Sequence, residues 1–110
     1  MNGQRTGKLT FDPWIPALFD SHALFADMYA NPKAYLNGTA PLNTTGVVDS
    51  CIYEVNADTP SVCTMVQGSD RDSYLWYDEL HPSEQAGRIV ARQIADVVQG
   101  KRNKWTTWLS

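Results

Sequence analysis

The side chains of this 110-residue chain best suited to chemistry are its two histidines, His22 and His81, its two cysteines, Cys51 and Cys63, and an uneven scatter of carboxylates. The densest arrangement is Asp78-x-x-His81. An imidazole takes up and releases protons near neutral pH. A carboxylate three residues earlier can receive one ring N–H and fix the tautomer, which is the orienter–base half of a nucleophilic triad. Pro82 favours the first helical position, so His81 is expected at or beside the N-cap of a helix, where the positive end of the dipole disfavours a protonated ring. The same spacing also describes an Asp-capped turn carrying a surface histidine. Spacing alone leaves both open.

The cysteines flank a polar loop with eleven residues between them, and with two cysteines only one intramolecular pairing exists. A bridge here would stabilise the fold by about 3 kcal/mol on the chain-entropy account, with Cα atoms roughly 4.4–6.8 Å apart. Two sequons lie just upstream, Asn37-Gly38-Thr39 and Asn43-Thr44-Thr45, so Asn37 and Asn43 are the candidate glycosylation sites. Sequons together with a cysteine pair lean toward an oxidising, secretory history. A zinc site from His22, His81, Cys51 and Cys63 matches no compact metal spacing, so no metal and no cofactor is expected. Trp105 and Trp108 beside Lys101, Arg102 and Lys104 form a basic–aromatic cluster, but docking of the tryptophans on the domain body is the favoured reading over a nucleic-acid or sugar surface.

Several elements must position these groups. Gly3 to Pro16 is rich in turn formers and reads as irregular. Ala17-Leu18-Phe19 suits a short buried strand feeding a helix capped by Asp20 or Ser21 and running to about Ala30. Leu24, Phe25, Met28 and Tyr29 make its apolar stripe. Asn31-Pro32 ends that helix, and Pro32 opens a further turn through Leu36. Asn37 to Asp72 reads as a long surface excursion with a short strand near Cys51 to Val55. Tyr74-Leu75-Trp76-Tyr77 is the strongest strand signal. The best helix spans about Ser83 to Gln99, with Ala86, Val90, Ile94, Val97 and Val98 inward and Glu84, Arg88, Arg92 and Asp96 facing water. Gly100 sits where a C′ glycine belongs. Strand, loop and helix, twice over, is the order of an α/β layered fold in one domain, 1–110.

Twelve acids against nine bases give a net charge of −3 and a pI near 5.1, which argues against a nucleic-acid-binding surface as the main function. Eight acids and a single base, Arg71, lie between Asp49 and Glu84. No apolar run approaches the roughly 20 residues that span a bilayer. Met1 to Gly7 is polar and no signal-like apolar stretch follows it, so the chain is expected to be the C-terminal part of something longer.

Tyr74-Leu75-Trp76-Tyr77-Asp78-Glu79-Leu80-His81-Pro82-Ser83-Glu84-Gln85-Ala86, continuing through Arg88, Ile89 and Ala91, resembles the last block of the GDSL, or SGNH, esterase and lipase family. Phe19 to Phe25, Asn31-Pro32, Tyr35 to Thr39, Cys51 and Cys63 resemble the stretch that precedes that block. The wording is most similar to fungal acetylesterases of carbohydrate esterase family sixteen, over roughly Leu18 to Trp108. The resemblance implies a three-layer α/β/α, flavodoxin-like hydrolase fold. It also implies a carbohydrate O-acetyl ester substrate, an extracellular location, and His81 as catalytic base with Asp78 as its partner. The G-D-S nucleophile motif, the oxyanion glycine and the G-x-N-D asparagine are missing. The serines at 21, 50, 61, 69, 73, 83 and 110 stand in other contexts, so the nucleophile is unassigned. Ser21 and Ser73 are the first substitutes to consider, since each lies near a strand end. The chain alone is therefore expected to lack the full reaction and to need the missing N-terminal portion of the same fold. The alternative is a non-catalytic product that binds glycan or a partner chain.

Overall fold

Residues 16–52 and 62–109 are described by the structure, a computed structural model. The irregular stretch expected before Pro16, the Tyr53–Val55 part of the expected strand, and Ser61 and Ser110 fall outside them. The described chain runs β1 (Ala17–Phe19), α1 (Ser21–Ala30), a 3₁₀ turn (Pro32–Ala34), β2 (Asn43–Val47), β3 (Asp49–Ile52), β4 (Val62–Met65), a second 3₁₀ turn (Gly68–Ser73), β5 (Tyr74–Trp76), α2 (Glu84–Val98) and β6 (Thr106–Trp108). The result is a small mixed α/β domain with few strands.

Side chains cap the starts of both helices, and backbone N–H groups close their ends. Asp20 caps α1 by accepting the amide of Ala23 at 2.9 Å. Asn31 closes that helix, its N–H reaching the Asp27 carbonyl at 2.8 Å, and Pro32 opens the 3₁₀ turn. Ser83 caps α2 by accepting the amide of Ala86 at 3.0 Å. At the other end Gly100 takes φ +79°, a conformation that costs glycine little. Its N–H bonds the Val97 carbonyl while the Lys101 N–H bonds that of Asp96, which satisfies two carbonyls the helix leaves open.

Leu24 and Met28 of α1, Leu36, Leu75 of β5, and Ala86 and Ile89 of α2 form one buried cluster. Phe25 stacks on Trp76 with ring centroids 5.8 Å apart, and Trp105 packs against the same cluster. The inward face of α2 is shorter than its pattern implied. Ile94 and Val98 are exposed, whereas Gln85 is buried with its amide donating to the Tyr35 carbonyl at 2.8 Å. Tyr29 lies outside the α1 stripe, also exposed.

The strands pair two by two. β2 runs parallel to β5, with Asn43 opposite Tyr74 and Val47 opposite Trp76. β3 and β4 form an antiparallel hairpin in which Cys51 faces Cys63. β1 is not the buried strand expected: Leu18 is exposed, and β1 pairs antiparallel with β6, joining two ends of the chain as an edge ribbon. The excursion from Asn37 to Asp72 likewise holds three strands where one was expected, because long-range pairing supplies order that local composition does not. Gly38 lies so close to the second 3₁₀ turn that a Cβ on it would sit 2.2 Å from Ser73 Oγ and 2.3 Å from Ser73 N. Only glycine fits that approach. Among the described residues, no helix is long and apolar enough to cross a membrane.

Candidate active site

The site turn is built from its own backbone. At the end of β5, Tyr77 N–H bonds the His81 carbonyl at 2.8 Å, and Ser83 N–H returns to the Leu75 carbonyl at 2.9 Å. Within the turn, Asp78 Oδ1 accepts the amides of Leu80 at 2.9 Å and His81 at 2.7 Å. Aspartate favours such turns because its short carboxylate reaches the amides two and three residues on. The same carboxylate lies 2.9 Å (Oδ1) and 3.0 Å (Oδ2) from His81 Nδ1.

The amide of Leu80 is the main cause holding the Asp78 carboxyl below its usual range; partial burial opposes it, and the His81 amide and ring assist. An ionised carboxylate can only accept, so Nδ1 carries the proton and Nε2 keeps its lone pair. Nε2 points away from Asp78 on a ring whose side chain is 69 % exposed, against 25 % for Asp78. This arrangement can take a proton at Nε2 and stabilise the resulting imidazolium across Nδ1.

His81 stands two residues before the helix cap rather than at or beside it. Ser83 takes the N-cap role, and Pro82 is held in a bridge to Trp76, so proline does not open the helix. The ring is therefore oriented by Asp78 and the turn, not by the helix dipole.

Long-range bonds set where the turn sits. Just beyond β2, Val48 N–H bonds the Trp76 carbonyl at 3.1 Å and Asp49 N–H bonds that of Tyr77 at 2.7 Å. Val66 N–H in turn reaches the Val48 carbonyl at 2.9 Å. The β3–β4 hairpin that continues from Asp49 carries the Cys51–Cys63 disulfide; the bridge forms as expected, but its Cα atoms are 4.0 Å apart, closer than the expected range of roughly 4.4–6.8 Å, the two residues being directly opposed on paired strands. With both sulfurs joined, neither offers a thiolate, and the zinc reading loses half its ligands.

The serines do not complete a triad with His81 in the described residues. Ser73 is fully buried with its hydroxyl on the Ala40 carbonyl at 2.7 Å, Ser83 is the helix cap, and Ser69 meets Thr39 at 3.0 Å. Ser21 and Ser50 are exposed, and no hydrogen bond joins either hydroxyl to the ring of His81. His22 is exposed on the first turn of α1. Asn37 is exposed, whereas Asn43 is half-buried with Oδ1 accepting the Gly46 amide at 2.7 Å. Lys104 lies over the Trp105 ring at 4.6 Å, and Trp108 pairs with Ala17.

Arg71 has a place that the sequence reading did not single out beyond its being one base among eight acids. Its Nε and Nη2 both lie 2.7 Å from Glu84 Oε1, Nη1 is 3.4 Å from Met65 Sδ, and the guanidinium lies 5.9 Å from the Tyr77 ring centre. The isolation of that charge was the available signal.

The chain is similar to an acetylesterase of Hypocrea jecorina, 39 % identical over 93 residues. The match takes in 84 % of this chain and 24 % of that protein, so the chain spans about a quarter of the length of the curated relative it matches. No protein-family model matches the chain. The similarity supports a relationship to carboxylic ester hydrolases.

Proposed function

We propose that the chain is the base-bearing share of a GDSL/SGNH-type carbohydrate acetylesterase, with the α/β/α fold of that family completed by polypeptide outside these 110 residues. The observation that carries this reading is the Asp78–His81 pair, bonded at Nδ1 and open at Nε2. The parallel β2–β5 pair agrees with it, because parallel strands belong to sheets covered on both faces. In the complete site a serine from that other polypeptide attacks the acetyl carbonyl and passes its proton to His81 Nε2. The imidazolium then protonates the leaving sugar alkoxide, freeing an acetyl-serine that water hydrolyses with His81 again as base. Asp78 keeps its proton balance unchanged and holds the ring. The disulfide and an exposed sequon at Asn37 fit a secreted protein.

Among the described residues no serine hydroxyl bonds His81, and the sequence lacks the family's G-D-S motif, oxyanion glycine and G-x-N-D asparagine. By itself the chain is therefore expected to hydrolyse p-nitrophenyl acetate no faster than its His81→Ala variant, both giving imidazole-like background. Saturable turnover that vanishes in that variant and is blocked by a serine-directed phosphonate would overturn this. The positive test is a graft of the matched stretch into the Hypocrea jecorina acetylesterase in place of its counterpart. The chimera should release acetate, and His81→Ala within it should lower kcat by on the order of 10⁴–10⁶. A folded chimera that is inactive, or one indifferent to His81→Ala, would favour a non-catalytic glycan- or partner-binding chain.

A further inference from the structure

We propose that Arg71 is a positioning residue for the acid–base pair, holding the Asp78–His81 turn from both flanks. The inference rests on the reading of that pair as the proton-transfer half of an ester hydrolase. Tyr77, immediately before Asp78, lies beneath the guanidinium at 5.9 Å, and Glu84, the first residue of α2 after the turn, accepts two of its nitrogens at 2.7 Å. The remaining nitrogen meets Met65 Sδ at 3.4 Å, on the strand that carries one end of the disulfide hairpin. One planar group thus joins the strand end, the helix start and the hairpin, with the turn spanning the gap between the first two.

The base from which Arg71 projects is itself fixed. Asp70 accepts the Thr39 hydroxyl, and Ser73 donates to the Ala40 carbonyl at 2.7 Å. The side chain is only 25 % exposed, which limits the freedom it would otherwise have. Contact with an aromatic face, a sulfur and a carboxylate at once suits the fork of arginine; the point charge of lysine cannot reproduce it. The partners of Arg71 are Glu84, Met65 and Tyr77 and not the His81 ring, so its role acts through Tyr77, Glu84 and the turn.

The test reads the ring directly and needs no ester hydrolysis. With the disulfide formed and histidine ¹⁵N-labelled, long-range ¹H–¹⁵N spectra at a pH where imidazole is neutral give the tautomer ratio of His81, with exposed His22 as internal reference. The native chain should show a majority of the Nδ1–H form. Arg71→Ala should shift the ratio toward Nε2–H by about fivefold, the size set by one net hydrogen bond. Glu84→Gln should move it the same way by a smaller amount, since it removes the charge from that tie, and Arg71→Lys should recover only part. Arg88→Ala, which breaks the neighbouring pair between α2 and Asp72, should leave His81 unmoved. An unchanged ratio in Arg71→Ala sinks the proposal, as does an equal shift in Arg88→Ala, which would mean general loosening. If Arg71→Ala does not fold, Glu84→Gln and Arg71→Lys decide the matter by the same readout. A native ring with no Nδ1–H majority overturns the acid–base reading instead, and the role of Arg71 with it.

Discussion

Tyr74 to Ile89 and Asn37 to Met65 are put together by opposite means. In the first, the turn and the cap are made with near neighbours: Asp78 bonds residues two and three ahead, and Ser83 caps its own helix. In the second, order comes from afar. β2 leans on β5 across some thirty residues, and β3 finds β4 across the loop that the cysteines close. The difference teaches where the candidate site gets its shape and where it gets its place. The turn shapes the Asp78–His81 bond, while Val48 and Asp49 hold the end of β5 that carries it.

The comparison breaks most readily at the disulfide. Replacing both cysteines, Cys51→Ser with Cys63→Ser, should cost about 3 kcal/mol. In a chain of this size that lowers the thermal midpoint by on the order of 10–20 °C. Below the transition the α2 circular-dichroism signal should persist, since that helix is built locally. A midpoint unchanged by the double substitution would show that the hairpin contributes little to holding the fold together.

A smaller effect is expected from Ser83→Ala, which removes the acceptor for the Ala86 amide. Loss of such a cap costs about 1 kcal/mol, a few degrees in midpoint. It should fray the first turn of α2 in hydrogen exchange while the Cys51–Cys63 hairpin stays protected. Loss of protection in both regions together would mean that the two are one cooperative unit.

The smallest effect is a local titration. The carboxyl of Asp78 lies below its ordinary value of 3.8 in the folded chain, so its bonds stabilise the turn at neutral pH. That contribution stays whole above the unfolded carboxylate range and is lost as pH falls through the lowered folded value. The Leu80 and His81 amide resonances should therefore move together at a midpoint under 3.8, with those of mid-α2 unaffected. Titration at or above the ordinary value would deny that the two amides bind the carboxylate in solution.

Much of the local structure could be read from residue types. Asp20 as a cap, Asn31-Pro32 as a stop, Gly100 as a positive-φ close and the Tyr74–Trp76 strand all follow from short-range chemistry. The pairing of Asp78 with His81 belongs with them, because three residues of separation place the carboxylate within reach of both the amide and the ring. Less legible was the cap of α2. Proline at the first helical position and serine at the cap are both favourable, and only the bridge between Pro82 and Trp76 decided for serine, moving His81 outside the helix.

Side-chain types and spacings by themselves determined the two helices, the cap of α1, the glycine close of α2 and the bond between Asp78 and His81, since each depends on groups a few residues apart. Tertiary structure alone decided that β2 lies parallel to β5, that β1 pairs with β6 at an exposed edge, and that Arg71 bridges Tyr77, Glu84 and Met65. The physical reason is the range of the interactions. A cap or an Asx turn gains its bond with little loop to close, whereas a strand partner or a distant ion pair forms only once the intervening chain has already been ordered.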